Sequence, residues 1–130
     1  MDQGPLVTEE IEAGTKFLSE LEKTLPVKAA FWLKASEDDR RYLYVATDRV
    51  NNGDLMAGYE HVARVAIRLN DPNFDHFQVK LIGTDHPYAK AAIDLHERYP
   101  TRDRIRLNRR DFAGMRVDEG LLYPALIGVS

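Results

Sequence analysis

"VKAAFWLKAS" (27–36) and "RRYLYVATDRV" (40–50) are two runs dense in aromatic and β-branched residues, separated by the polar "EDD" of 37–39. Such side chains suit a pleated, half-buried surface, and a short polar connection between two of these runs predicts an antiparallel hairpin. The segments beyond the hairpin decide the class of the sheet. There, helical and strand-like patterns alternate. A hairpin leading into αβ units gives a mixed sheet with helices mainly on one face, because a doubly covered parallel sheet needs strictly alternating βα units.

Before the hairpin, Ile11, Phe17, Leu18, Leu21 and Leu25 recur at helical spacing, with Thr8 placed as N-cap, Glu9 and Glu10 in the first turn, and Pro26 as the stop. Gly14 inside this helix costs roughly 1 kcal/mol against alanine. After the hairpin, "NNGD" (51–54) predicts a turn in which Asp54 caps a second helix. Leu55, Tyr59, Val62, Ala66 and Leu69 form its stripe, and Glu60, Arg64 and Arg68 form a solvated face.

"NDPNFD" (70–75) breaks that helix, and "HFQVKLIG" (76–83) alternates as a third strand. The alternation puts Phe77, Val79 and Leu81 in the core and Gln78 and Lys80 outside. Pro87 suits the start of a third helix over 87–100, and "DRIRLN" (103–108), "GMRV" (114–117) and "GLLYPALI" (120–127) supply the remaining strands. The expected fold is an α/β (α+β) two-layer sandwich of order α-β-β-α-β-α-β, with one or two further strands and about five in the sheet. Its 130 residues make a single domain over 1–130, a length at which one core is self-sufficient.

There is no cysteine, which excludes disulfides, thiol nucleophiles, thiolate zinc sites and iron–sulfur clusters, so any metal would need His, Asp and Glu. With 44% hydrophobic and 30% charged residues and only short apolar runs, a soluble, membrane-free protein is expected. The acidic start "MDQGPLVTEEIE" lacks the basic and apolar stretches of a secretory signal, so the expected location is the cytoplasm. Net charge is −3, unevenly spread: residues 1–39 hold nine acids against four lysines, and residues 98–116 hold seven arginines against two aspartates. A field attracting nucleic acid is therefore absent overall and present locally.

The clearest charge pattern is "TRDRIRLNRR" (101–110), where Arg102, Arg104 and Arg106 share one face of an alternating segment and Arg109 and Arg110 come directly after. Guanidinium forks match carboxylate and phosphate oxygens, and charge along an edge strand also blocks edge-to-edge pairing. A second surface is the sheet face away from the helices, expected to carry Lys28, Trp32, Lys34, His76, Gln78 and Lys80 together with Tyr42 and Tyr44. Aromatic rings among basic groups suit either a protein interface or stacked bases.

Two Asp-His pairs, Asp75-His76 and Asp85-His86, flank the third strand. Strand length separates them too widely for one metal. Thr84, Asp85, His86 and Lys90 lie where a strand ends and a helix begins, a place that attracts anions, although Thr84 or Asp85 acting as a cap accounts for the same residues. Asp75 followed by Gln78 and Lys80 resembles the acidic and Gln-x-Lys pattern of metal-dependent nucleases, which implies carboxylates holding a divalent ion and a lysine assisting water, with Asp48 as a stand-in acid. His61 and His96 are placed on solvated helix faces. The leading expectation is a non-enzymatic binding or adaptor protein with a protein or self partner and neither cofactor nor metal. The alternatives are a nucleic-acid module using the arginine row and a hydrolase centred on Asp75, Gln78 and Lys80 or on Asp85 and His86.

Overall fold

A computed structural model describes residues 6–36, 40–50 and 53–124. Three helices, α1 (Thr8–Leu21), α2 (Leu55–Leu69) and α3 (Pro87–Arg98), pack on a six-stranded mixed sheet. Its strands are β1 (Ala29–Ala35), β2 (Tyr42–Ala46), β3 (Val79–Ile82), β4 (Ile105–Arg106), β5 (Arg110–Phe112) and β6 (Met115–Leu122). The order is β3-β2-β1-β6-β4, with β5 also on β6. The fold is α+β, as the hairpin implies.

The hairpin forms in the expected sense, Trp32 pairing with Leu43 and Phe31 with Tyr44; its 37–39 connection lies outside the described residues, as do 51–52 of the next turn and 125–127 of the last expected strand. β2 and β3 are parallel, which requires a crossover, and α2 supplies it. α3 then carries the chain from β3 at one end of the sheet to β4 at the other.

Strand alternation splits the apolar residues between two cores. Ala30, Trp32, Leu43, Val45, Val79, Leu81, Leu121 and Tyr123 meet α1 and α2. Phe31, Leu33, Ala46, Ile82, Leu107, Phe112, Val117 and Leu122 meet Ala89 and Ala92 of α3. Helices thus lie mainly on one face, and α3 covers part of the other. None of the helices among the described residues is long and apolar enough to cross a membrane.

Local chemistry corrects several boundaries. Val7 takes the N-cap position of α1, with its N–H 3.4 Å from Glu10 Oε1, so Thr8 is the first helical residue. Asp54 does occupy the N-cap position of α2, without a side-chain capping bond. Residues 76–78 form a 3-10 turn rather than strand, because Asp75 Oδ1 accepts from the Phe77 N–H and tightens the backbone. Alternation starts only at Val79, and Phe77, assigned to the core by its pattern, is 82% exposed.

Gly14 has a structural reason to interrupt α1. A Cβ there would collide with the Tyr123 hydroxyl, so the missing side chain lets the helix settle on that ring. The hydroxyl accepts from Trp32 Nε1 at 2.9 Å and donates to the Ile11 carbonyl at 2.9 Å, tying α1, β1 and the segment after β6 together.

Candidate functional site

β4 and β5 behave as one interrupted strand. Ile105 pairs with Leu122, Arg106 with Leu121, Arg110 with Val117 and Phe112 with Met115, a single register along β6. Between them the Leu107 and Arg109 N–H groups still donate to the Gly120 and Asp118 carbonyls, while the Asn108 side chain accepts from the Gly120 N–H. Arg109 adopts φ 55, which breaks the regular ladder at that point. The result is a short, irregular outer edge of the sheet.

This edge displays the arginine row. Leu107 is fully buried and Ile105 half-buried in the α3-side core, so the alternation read from the sequence holds, and Arg102, Arg104, Arg106, Arg109 and Arg110 are all exposed. Arg104 reaches Glu12 of α1 at 2.9 Å. Among the described residues, Arg102, Arg106, Arg109 and Arg110 have no such carboxylate partner. Among the described residues the edge therefore presents four guanidinium groups without an ion-pair partner, interleaved with exposed Asp103 and Asp111.

The expected aromatic sheet face is taken apart by the packing. Trp32 is 1% exposed under α1, because its register position shares the face of Leu43 and Leu121. Tyr42 and Tyr44 are half-buried on the opposite face. Tyr44 stacks on Phe31 at 5.5 Å and meets Tyr88 edge-on at 5.3 Å, while Lys80 Nζ sits 4.1 Å from the Tyr42 ring centre. Lys28 and Lys80 are exposed, whereas Lys34 is partly covered and approaches Asp118 at 3.5 Å. These rings pack on one another rather than forming an open stacking platform.

The remaining candidates are engaged separately. Asp75 caps its own turn, Gln78 Nε2 donates to the Arg41 carbonyl at 3.2 Å, and Lys80 lies over Tyr42, so the nuclease-like trio does not converge. Among the described residues no three His, Asp or Glu side chains come together as metal ligands, and Asp48 stands exposed. At the start of α3 the cap is His86 itself, whose Nδ1 accepts from the Tyr88 N–H at 3.0 Å, rather than Thr84 or Asp85. Asp85 and Lys90 are exposed beside it and Thr84 is half-buried.

His96 departs from its expected solvated position. It is half-buried, its Nε2 has no hydrogen-bond partner among the described residues, and burial pushes its pKa below the usual histidine value. His61 is also half-buried.

One group escaped the sequence reading altogether. Arg41 is 2% exposed and forms ion pairs with Glu10 at 3.1 Å and Glu119 at 3.0 Å, its guanidinium 5.9 Å from the Trp32 ring centre. Glu119 Oε2 also accepts from the Leu6 N–H at 2.7 Å. This cluster binds the first helix to β6. Removing one partner of such a pair costs about 3–5 kcal/mol because the other charge is left uncompensated. No local pattern distinguishes Arg41 from its neighbour Arg40, since its partners lie 31 and 78 residues away.

The fold and surface together define an open mixed-sheet α+β protein with an arginine-lined edge. No family model, curated protein or solved structure matches the chain.

Proposed function

We propose that this chain is a non-catalytic binding protein whose arginine edge, Arg102, Arg106, Arg109 and Arg110, takes an acidic segment of a partner protein. The observation that carries the reading is the contrast along the row. Arg104 holds the Glu12 carboxylate at 2.9 Å, while four neighbouring guanidinium groups stand exposed without such a partner among the described residues. The molecule itself thus displays the ligand chemistry that the rest of the row would accept.

A protein partner is favoured over nucleic acid on three grounds. Net charge is −3, acids of α1 adjoin the row, and the rings that would stack bases are buried or packed on one another. The dispersal of Asp75, Gln78 and Lys80 into separate contacts supports binding rather than hydrolysis. Exposed arginine–carboxylate contacts contribute roughly 0.2–1 kcal/mol each, so four give at most millimolar affinity unaided. The partner must therefore carry several acids in register, or an apolar anchor beside them.

The test is fluorescence anisotropy of a labelled glutamate-rich peptide with the intact protein, at low and high salt. Binding should weaken with salt, and Arg106→Glu combined with Arg110→Glu should weaken it at least tenfold while leaving the circular dichroism spectrum unchanged. Affinity that ignores the charge reversal would defeat the proposal. A single-stranded oligonucleotide bound more tightly than the peptide would transfer the edge to nucleic acid.

A further inference from the structure

The outer face of α2 carries two large exposed apolar side chains where a solvated helix should be polar. Gly58, Val62 and Val65 form the buried stripe of this helix, and the opposite side carries Met56, 76% exposed, and Ile67, 70% exposed, with Ala63 between them. Steps of seven and four residues return a helix to within about 20–40° of the same direction, so the three form one line. Glu60 and Arg64 lie in and beside that line, both exposed, at the middle of the helix. Glu60 and Arg64 were expected on a fully solvated face together with Arg68. Arg68 instead turns towards Glu20 of α1 at 3.8 Å.

This arrangement is self-complementary about the middle of the helix. A two-fold axis crossing α2 between His61 and Val62 sets Met56 opposite Ile67 of the partner subunit. It also brings Glu60 beside Arg64 of the partner subunit, and the reciprocal pairs form by symmetry. A parallel pairing would set Glu60 against Glu60 of the partner subunit and Arg64 against Arg64 of the partner subunit, so charge selects the antiparallel arrangement. We infer that α2 forms an antiparallel homodimer contact with a second copy of this chain.

The sheet edges argue for the same choice of surface. At the β3 edge the Leu81 N–H already donates to the Tyr59 hydroxyl of α2 at 3.0 Å. At the opposite edge two arginine rows would face each other if strands paired. Strand addition between copies is disfavoured at both ends, which favours the helix face. The contact lies at the other end of the sheet from the arginine edge and does not depend on the function proposed for it.

The experiment is sedimentation equilibrium of the intact chain over micromolar to millimolar concentration, against a monomer mass of 14.9 kDa. The wild type should show a monomer–dimer equilibrium. Ile67→Glu should weaken it at least tenfold with the circular dichroism spectrum retained. Glu60→Arg should weaken it similarly through repulsion from Arg64 of the partner subunit, and Glu60→Arg combined with Arg64→Glu should restore it. A wild type that stays monomeric throughout, or a dimer indifferent to Ile67→Glu, overturns the inference. A charge swap that fails to restore association overturns the antiparallel register.

Discussion

Gly14 occupies a position where alanine would favour the helix by about 1 kcal/mol, yet the Tyr123 hydroxyl stands where its Cβ would go. Overpacking at such a contact costs about 1–3 kcal/mol, so Gly14→Ala is expected to lower stability in urea unfolding despite the better propensity. Tyr123→Phe should also destabilise, since it leaves Trp32 Nε1 and the Ile11 carbonyl each short of a partner. Combined, the two changes should cost less than their separate effects added, because the second removes the atom that obstructs the first. A stabilising Gly14→Ala would show that the close approach does not matter.

The same hydroxyl makes a second, pH-dependent prediction. Burial raises the Tyr123 pKa from 10.0 to about 12, partly opposed by the Trp32 hydrogen bond. The folded protein therefore holds this proton more tightly than the unfolded chain. The stabilisation is complete below pH 10 and is lost as pH rises through about 12, by an amount on the order of 2 kcal/mol. Urea unfolding across this range should show a steeper fall for wild type than for Tyr123→Phe. Parallel curves would remove Tyr123 as the cause.

At the scale of elements, Arg109 separates backbone cost from surface function. A non-glycine residue at φ 55 costs roughly 1–2 kcal/mol, part of which glycine would recover. Arg109→Gly should raise the urea midpoint while weakening capture of the acidic peptide. If both quantities fell, the residue would be holding the strand rather than serving a ligand. The start of α3 at Pro87 and the strands of the hairpin were legible because proline geometry and side-chain shape act locally, whereas α1 ends at Leu21, short of the expected stop at Pro26. Phe77 was not, since one Asp75 side chain bonding to the backbone converts the expected strand start into a turn and reverses which way the ring faces.

For the whole molecule, the arginine row was legible as a surface because alternation with Ile105 and Leu107 fixes which side faces water. The aromatic face was not. Its assignment depends on which sheet face α1 chooses, and that choice is settled by contacts across the full chain, Tyr123 with Trp32 and Arg41 with Glu119. Lone sequence patterns carry no information about partners so distant. The candidate pair Asp85 and His86 likewise changes meaning once His86 is seen to cap α3.

Among the described residues β6 is the last of six strands along the chain and yet lies inside the sheet, between β1 and β4. Until β6 joins the sheet, β1 has one side open, Trp32 Nε1 lacks the Tyr123 hydroxyl and Arg41 lacks the Glu119 carboxylate. The hairpin and α1 are therefore incompletely packed until β6 inserts. A chain in which β6 has not yet inserted is accordingly open to misassociation along the bare side of β1.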